Sequence, residues 1–255
     1  MGKIQVITDS ASDISYENEK RYDIHIIPFP VVIGEKSYLS RVDMDNEGFY
    51  KLMEEQEDVP KTSQITSYQF EELYYECYQK GCTDVILVMI NSKGSATYQN
   101  SLLAIDTFFE EHPECEGKIS IYSHDGRSYS GAYGQPVIKA CQMAEAGASA
   151  EEINRYLEDI LVRRCVYFGI YNLKYAGRSG RIPSAAAFVG DKLGIKPIMK
   201  IWDSEITTAA KCRGEKKVVA KIADMTVAEM EPGSEYQVVY GSDQSCADEM
   251  IQKMT

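Results

Sequence analysis

Three loops rich in hydroxyl groups are the part of this sequence best suited to chemistry. They run through residues 8–13 (TDSASD), 61–64 (KTSQ) and 91–99 (NSKGSATYQ). Each lies where a predicted strand ends or a predicted helix begins, and helix N-termini offer free N–H groups that favour anions. Serine and threonine hydroxyls add neutral hydrogen-bond donors. The loops therefore predict a site that holds a negatively charged group.

Catalytic interpretations of these loops have less support. Asp9 ends a strand and Asp125 is the only clear second acid at a strand end, which leaves open a phosphoryl- or acyl-transfer enzyme that uses both. The other interpretation is that Asp9 forms turn and cap hydrogen bonds. The sequence contains no G-x-S-x-G serine, no P-loop and no complete metal-ligand motif. We therefore predict a binding protein rather than an enzyme, without catalytic residues, metal or cofactor.

Composition indicates a cytoplasmic protein. The 255 residues suffice for one large domain or two smaller ones. No apolar run approaches the roughly 20 residues that a membrane span needs, and the chain enters strand-like Lys3–Ile7 without a signal peptide. The seven cysteines form no C-x-x-C pair, which is typical of reduced thiols. We expect no stable membrane insertion.

The charge is distributed unevenly along the chain. The net charge of −12 disfavours nucleic-acid binding. Residues 1–160 hold 13 basic and 28 acidic side chains, a net charge of −15, whereas residues 163–221 hold 13 basic and 4 acidic ones, a net charge of +9. The basic stretch faces either an acidic partner or the acidic first half of the same chain.

The order of strands and helices predicts two α/β domains, residues 1–160 and 161–255. In the first, strand–helix alternation predicts a mainly parallel sheet. Residues 84–90 (DVILVMI) are typical of a strand that is covered on both faces, and Ile24–Val32 is expected to form one strand broken by prolines. Capping boxes predict helix starts at Thr66-Ser67-Tyr68-Gln69 and Ser149-Ala150-Glu151-Glu152.

The second domain is expected to contain a mixed sheet. Two stretches, Ile195–Ile201 and Glu205–Cys212, predict a β-hairpin around residues 202–205. A further strand is expected over residues 236–241, followed by a helix. The glycine-rich turn before the hairpin carries Arg178 and Arg181, whose guanidinium groups suit carboxylates and phosphates.

Six motifs in chain order resemble those of the DegV family, bacterial fatty-acid-binding proteins that serve as subunits of fatty acid kinase. The family's T-S-Q-P, S-S-x-x-S-G-T-Y-Q, D-S-x-x-x-S-x-G-x-G, L-x-Y-L-x-x-G-G-R-I, K-P-I and R-x-x-K-K patterns are similar to residues 62–65, 91–99, 125–134, 173–182, 196–198 and 213–217. The opening TDSASD also matches. The resemblance covers nearly the whole chain.

The resemblance implies two α/β domains with a long-chain fatty acid in an apolar tunnel between them. It implies that Thr62 and Ser95 hold the carboxylate and that a kinase partner converts the bound acid to an acyl phosphate. With the remaining loop groups, the expected head-group residues are Thr62, Ser63, Ser92, Ser95 and Arg181. The expected tail residues are Ile27, Phe29, Ile170, Phe188, Val189, Leu193 and Ile198. The residues expected to dock the partner are Arg178, Arg181 and Arg213.

The chain departs from the family pattern at several positions. Asn91 stands where the family has serine, and Ala96 and Ser179 stand where it has glycine. These changes are expected to alter the shape of the head-group loops. The resemblance also implies a final strand and a histidine-bearing loop near the head group, neither of which lies within residues 1–255.

Overall fold

Strands and helices alternate strictly over residues 61–145, as the sequence predicts for the parallel sheet. A computed structural model describes residues 2–55, 59–182, 194–241 and 243–254. The first half contains β1 (Lys3–Asp9), α1 (Tyr16–Arg21), β2 (His25–Ile27), β3 (Pro30–Ile33), β4 (Lys36–Leu39), α2 (Asn46–Glu55), β5 (Lys61–Thr62), α3 (Ser67–Gln79), β6 (Cys82–Met89), α4 (Thr97–Glu111), β7 (Ser120–Asp125), α5 (Gly131–Glu145) and α6 (Ala150–Arg163). The second half contains β8 (Cys165–Gly169), α7 (Leu173–Arg178), β9 (Ile195–Trp202), β10 (Glu205–Arg213), α8 (Val218–Glu229) and α9 (Ser245–Met254).

A four-stranded parallel sheet forms the centre of the first half, in the order β2-β1-β6-β7. Side chains of β6 alternate between its faces. Leu87 packs among residues of α3 and α4, whereas Ile86 and Val88 pack against α5 and α6. All three are completely buried. The prediction of a strand covered on both faces is confirmed.

Both predicted capping boxes are present. In α3, the Thr66 hydroxyl accepts a hydrogen bond from the Gln69 amide at 3.3 Å, and the Gln69 side chain accepts one from the Thr66 amide at 3.0 Å. Ser149 and Glu152 make the same reciprocal pair at the start of α6. These bonds satisfy amide groups that have no partner inside a helix.

Replacing Thr66 with Ala is expected to lower the free energy of unfolding by about 1 kcal/mol, because α3 loses its N-cap acceptor. Thr66→Ser keeps the hydroxyl and serves as the matched control. Urea unfolding of both variants measures the effect. Equal stability of the alanine and serine variants would contradict a capping role for the Thr66 side chain.

The expected single strand over Ile24–Val32 is wrong, because the chain forms two strands in different sheets. β2 pairs in parallel with β1, whereas β3 lies at the centre of a small antiparallel sheet in the order β4-β3-β5. Pro28 lies between β2 and β3 and has no N–H for a ladder, which favours a break at that point. The small sheet carries Thr62 at the end of β5.

The second half is built on a sheet in the order β10-β9-β8. The β9–β10 hairpin is confirmed, but both strand pairs run antiparallel, so the described strands do not form the mixed sheet that we expected. Residues 236–241 form no strand, since no described strand pairs with them. Among the described residues, no helix is long and apolar enough to cross a membrane.

The parallel and antiparallel sheets are built from consecutive parts of the chain. Leu157 and Leu161 of α6 pack on the parallel sheet, and β8 of the antiparallel sheet begins at Cys165. The division into domains 1–160 and 161–255 stays a prediction.

Candidate functional site

The hydroxyl-rich loops meet at one edge of the parallel sheet. The loops after β1, β6 and β7 all follow carboxyl ends of parallel strands, where α/β proteins place their ligand sites. The small sheet brings Thr62 to the same region. A polar cleft of about 410 Å³ lies there. It is lined by Thr62, Gln64, Ser92, Lys93, Gly94, Ser95, Ala96, Gln99 and Arg181.

A second hollow, of about 260 Å³, lies at the opposite end of β1, beside the last turn of α5. Its lining includes Lys3, Tyr22 and Cys141 but none of the three hydroxyl-rich loops. We assign the candidate site to the larger cleft because the groups suited to an anion converge there.

The hydrogen bonds of the Ser95 hydroxyl can leave its own proton available for a ligand in the cleft. Its Oγ lies 2.9 Å from the hydroxyl of Thr97 and accepts a hydrogen bond from the Thr97 amide at 3.3 Å. The Thr97 hydroxyl in turn accepts from the Ile65 amide at 3.3 Å. If Thr97 donates to Ser95, the proton of Ser95 is free to point into the cleft.

Thr62 and Ser63 differ in their surroundings although they are neighbours in sequence. Thr62 lines the cleft, is exposed, and has a hydroxyl that makes no hydrogen bond within the described parts of the chain. Ser63 does not line the cleft, because adjacent residues of an extended chain point to opposite sides. Its amide donates to the carbonyl of Pro30 at 3.1 Å. The structure brings Thr62 and Ser95 to one cleft and leaves Ser63 outside it.

Ser92 lines the cleft, but its proton is already committed. Its hydroxyl donates to Oδ2 of Asp125, and its amide donates to Oδ1 of the same carboxylate at 3.0 Å. Asp125 also accepts from the Arg127 amide at 2.9 Å. Ser92 and Asp125 therefore brace two adjacent loops against each other.

Arg181 supplies positive charge at the rim of the cleft. Its guanidinium group donates to the carbonyls of Gly94, at 3.3 Å, and Ser179, at 2.9 Å. Within the described ranges, no carboxylate pairs with it, whereas Lys93 pairs with Glu205. Of the two cations that line the cleft, Arg181 is therefore the one that no described carboxylate neutralises, and it can pair with a ligand. Arg178 and Arg213 are exposed at the ends of α7 and β10 and do not line the cleft.

Asp9, at the end of β1, connects β1 to the loop after β6 and to α5. It is completely buried and accepts hydrogen bonds from the Ile90 amide at 2.7 Å, the Ala11 amide at 3.0 Å and the Tyr133 hydroxyl at 2.6 Å. Burial raises its pKa to about 6, although these three bonds favour the charged form. Strand β6 separates β1 from β7, which ends at Asp125. These contacts favour a structural role for both acids over a catalytic pair.

The expected tail residues fall into different apolar clusters. Ile27 and Phe29 pack with Ile65, which lies three residues after Thr62. Ile170 packs with Met199 on one face of the second sheet, and Ile198 lies in another cluster under α8. Phe188, Val189 and Leu193 lie outside the described residues. The tunnel stays a prediction.

Sequence reasoning missed three polar residues that line the cleft, namely Gln64, Lys93 and Gln99. Gln64 and Gln99 occupy fixed positions of the T-S-Q-P and S-S-x-x-S-G-T-Y-Q patterns and Lys93 a variable one, but long polar side chains are usually solvated, so none of the three was assigned to the site. It also missed Asn91, which is completely buried and whose backbone carbonyl accepts from the amides of Gly94, at 2.9 Å, and Ser95, at 3.2 Å. The only indication in the sequence was that Asn91 departs from the family pattern.

Comparisons with known proteins agree with this architecture. The family model of the DegV family, described as uncharacterised, matches residues 3–255. A DegV domain-containing protein from Caldanaerobacter subterraneus subsp. tengcongensis is 35% identical over 88% of this chain and 76% of its own. A structure from Thermotoga maritima, described as revealing a fatty acid binding function, is 26% identical, with a TM-score of 0.83 over 100% of this chain and 88% of its own.

A second solved structure is that of DegV from Bacillus subtilis, described as a fatty acid binding protein. It is 28% identical, with a TM-score of 0.76 over 90% of this chain and 78% of its own. The family match spans nearly every residue, and the sequence identity extends over most of both chains. This chain belongs to the DegV family.

Proposed function

We propose that this protein binds one long-chain fatty acid and presents it to a kinase partner that forms an acyl phosphate. The carboxylate lies in the cleft between Thr62 and Ser95, and the acyl tail lies between the two halves of the chain. The protein works in the cytoplasm and does not itself catalyse the reaction. The relatives described as fatty acid binding proteins support the choice of ligand.

The observation that carries the proposal is the hydrogen-bond relay that ends at Ser95. The Ile65 amide donates to Thr97, the Thr97 hydroxyl can donate to Ser95, and Ser95 can then donate to a carboxylate oxygen. Each group in this series of hydrogen bonds has a partner, and linked hydrogen bonds polarise one another. Thr62, which also lines the cleft, supplies a second donor.

The two ends of the ligand contribute differently to the binding free energy. A fatty acid of ~16 carbons has ~14 methylenes, and burial at ~0.8 kcal/mol each gives an upper limit near ~11 kcal/mol. The tail therefore supplies most of the affinity. A few polar groups suffice to orient the carboxylate, which explains why two hydroxyls and one guanidinium group are enough.

The exposure of the cleft suits presentation of a bound carboxylate to a partner protein. Thr62, Lys93 and Arg181 are exposed, so a carboxylate between them stays within reach of another protein. Hydroxyl donors leave the carboxylate ionised and nucleophilic toward the terminal phosphate of ATP in a partner's site. Arg178, Arg181 and Arg213, which are all exposed, then serve as the docking residues.

Native mass spectrometry of the purified protein, followed by solvent extraction of any ligand, tests the binding function. The expected result is one fatty acid per chain, or uptake of one equivalent when oleate or palmitate is added to delipidated protein. A folded protein that contains no fatty acid and takes up neither would contradict the proposal.

Charge reversal of Arg178 and Arg213 together is expected to abolish acyl phosphate formation by a fatty acid kinase while fatty acid retention stays unchanged. Both side chains are exposed and lie outside the cleft, so their loss affects docking alone. Kinase turnover and lipid content are measured on the same preparation. Arg155→Glu on α6 is the matched control. Equal loss of turnover and lipid would contradict a docking role.

A further inference from the structure

The tip of the β9–β10 hairpin is seated on the loops that build the head-group cleft. Ser204, in the hairpin turn, is only 7% exposed. Its amide donates to the carbonyl of Arg127 at 3.0 Å, and its carbonyl accepts from the side-chain amide of Asn91 at 3.0 Å. Both backbone polar groups of this turn residue are therefore bonded to the first half of the chain.

Asn91 connects the hairpin tip directly to Ser95. Its side chain is completely buried; while the amide nitrogen binds Ser204, the amide oxygen accepts from the Lys93 backbone at 2.9 Å. Its backbone carbonyl accepts from the amides of Gly94 and Ser95. One residue thus shapes the turn that presents Ser95 and holds the second half of the chain in place.

Two ion pairs flank this contact. Arg127 pairs with Asp203, and Lys93 pairs with Glu205. All four side chains are at least 40% exposed, so each pair is screened by solvent and contributes little alone. Their position matters more than their strength, because they involve Asp203 and Glu205, the residues on either side of Ser204.

The backbone at the contact is held in a sparsely populated conformation. Arg127, Asp203 and Ser204 have φ angles of 51°, 46° and 68°. Positive φ at both central residues is the geometry of a tight two-residue hairpin turn, which glycine or asparagine normally occupies. Such strain persists where surrounding contacts hold it, and here the contacts come from the other half of the chain.

We propose that the hairpin tip, residues 203–205, is a latch on the head-group loop, and that Asn91 is the positioning residue that couples them. Ser95 keeps its binding geometry while the latch is closed. Opening the latch releases the Asn91 side chain, loosens the loop and lets the fatty acid leave. This inference rests on the proposed binding function and assigns control of lipid release to residues that do not touch the lipid.

Charge exchange between Arg127 and Asp203 tests the latch. Purified protein loaded with cis-parinaric acid, a naturally fluorescent fatty acid, is mixed with excess phosphatidylcholine vesicles, and the release rate is followed by stopped flow. Arg127→Asp and Asp203→Arg are each expected to accelerate release about 3- to 5-fold. The double exchange is expected to return the rate to within about twofold of the unaltered protein, and the cycle cancels backbone effects at each site.

Asn91→Ser provides a second, independent variant. Serine keeps an acceptor for the Lys93 amide but is too short to reach the carbonyl of Ser204. Release is expected to accelerate more than tenfold, and further reversal of Asp203 should then add little. Arg155→Asp, a reversal on α6, is the control and is expected to leave the rate unchanged. Thermal unfolding of each variant checks that the variant is folded.

The outcomes separate the latch from the binding function. Release that is unchanged in the Asn91 and Arg127 variants, or a double exchange no slower than the faster single variant, would overturn the latch alone. Failure of the unaltered protein to take up cis-parinaric acid would overturn the binding function and the latch with it.

Discussion

Replacing Thr62 with Val and Ser95 with Ala together is expected to weaken oleate binding about 10- to 100-fold without abolishing it. Each of these hydroxyls is expected to contribute about 0.7 to 1.4 kcal/mol in a cleft that is open to water, whereas the buried tail contributes several times as much. Valine keeps the β-branched shape of threonine in β5. Titration of delipidated protein with oleate measures the change in Kd.

Two controls make this result specific to the head group. Ser63→Ala removes a neighbouring hydroxyl that lies outside the cleft and is expected to leave oleate affinity unchanged. The unaltered protein should prefer oleate over methyl oleate, and the double variant should lose most of that preference. An unchanged preference in the double variant, or an equal loss of affinity in Ser63→Ala, would contradict the assignment of the carboxylate to Thr62 and Ser95.

Stability is expected to fall as pH rises through the titration of Asp9. Burial raises the pKa of Asp9 in the folded protein from its ordinary 3.8 to about 6, so the folded state holds this proton more tightly than the unfolded state does. Between these two values the folded chain binds the extra proton, and the free energy of unfolding decreases with pH. The decrease from Asp9 alone is about 2 kcal/mol between pH 4 and pH 7.

Urea unfolding of the unaltered protein and of Asp9→Asn across this pH range isolates the contribution. Because asparagine does not titrate, the stability difference between the two proteins should change by this amount as pH rises. Tyr133→Phe removes a hydrogen bond that favours the charged carboxylate and should move the transition to higher pH. Parallel pH profiles for all three proteins would contradict the raised pKa of Asp9.

Local features of the fold were predictable because short sequence patterns determine them. The capping boxes at Thr66 and Ser149 depend on residues three positions apart, and β6 is an uninterrupted apolar run. The split of Ile24–Val32 into two sheets was not predictable in this way. It depends on which distant strands pair with β2 and β3, and each segment alone has the same apolar, β-branched character.

The candidate site was predictable in its location but not in the roles of its residues. Strand order places the loops at one edge, yet whether a hydroxyl faces the ligand depends on its partners in three dimensions. Ser92 and Ser95 are chemically alike in sequence, but Asp125 takes the proton of Ser92. Similarly, nothing in residues 202–205 indicates that the hairpin tip contacts Asn91, since such a contact joins segments more than 100 residues apart.

A crystal structure of the protein with bound palmitate tests the central claim most directly. The expected result is a carboxylate within hydrogen-bond distance of the hydroxyls of both Thr62 and Ser95, with the tail extending between the parallel and antiparallel sheets. A palmitate whose carboxylate lies away from this cleft, or whose tail lies on the outer surface, would contradict the account.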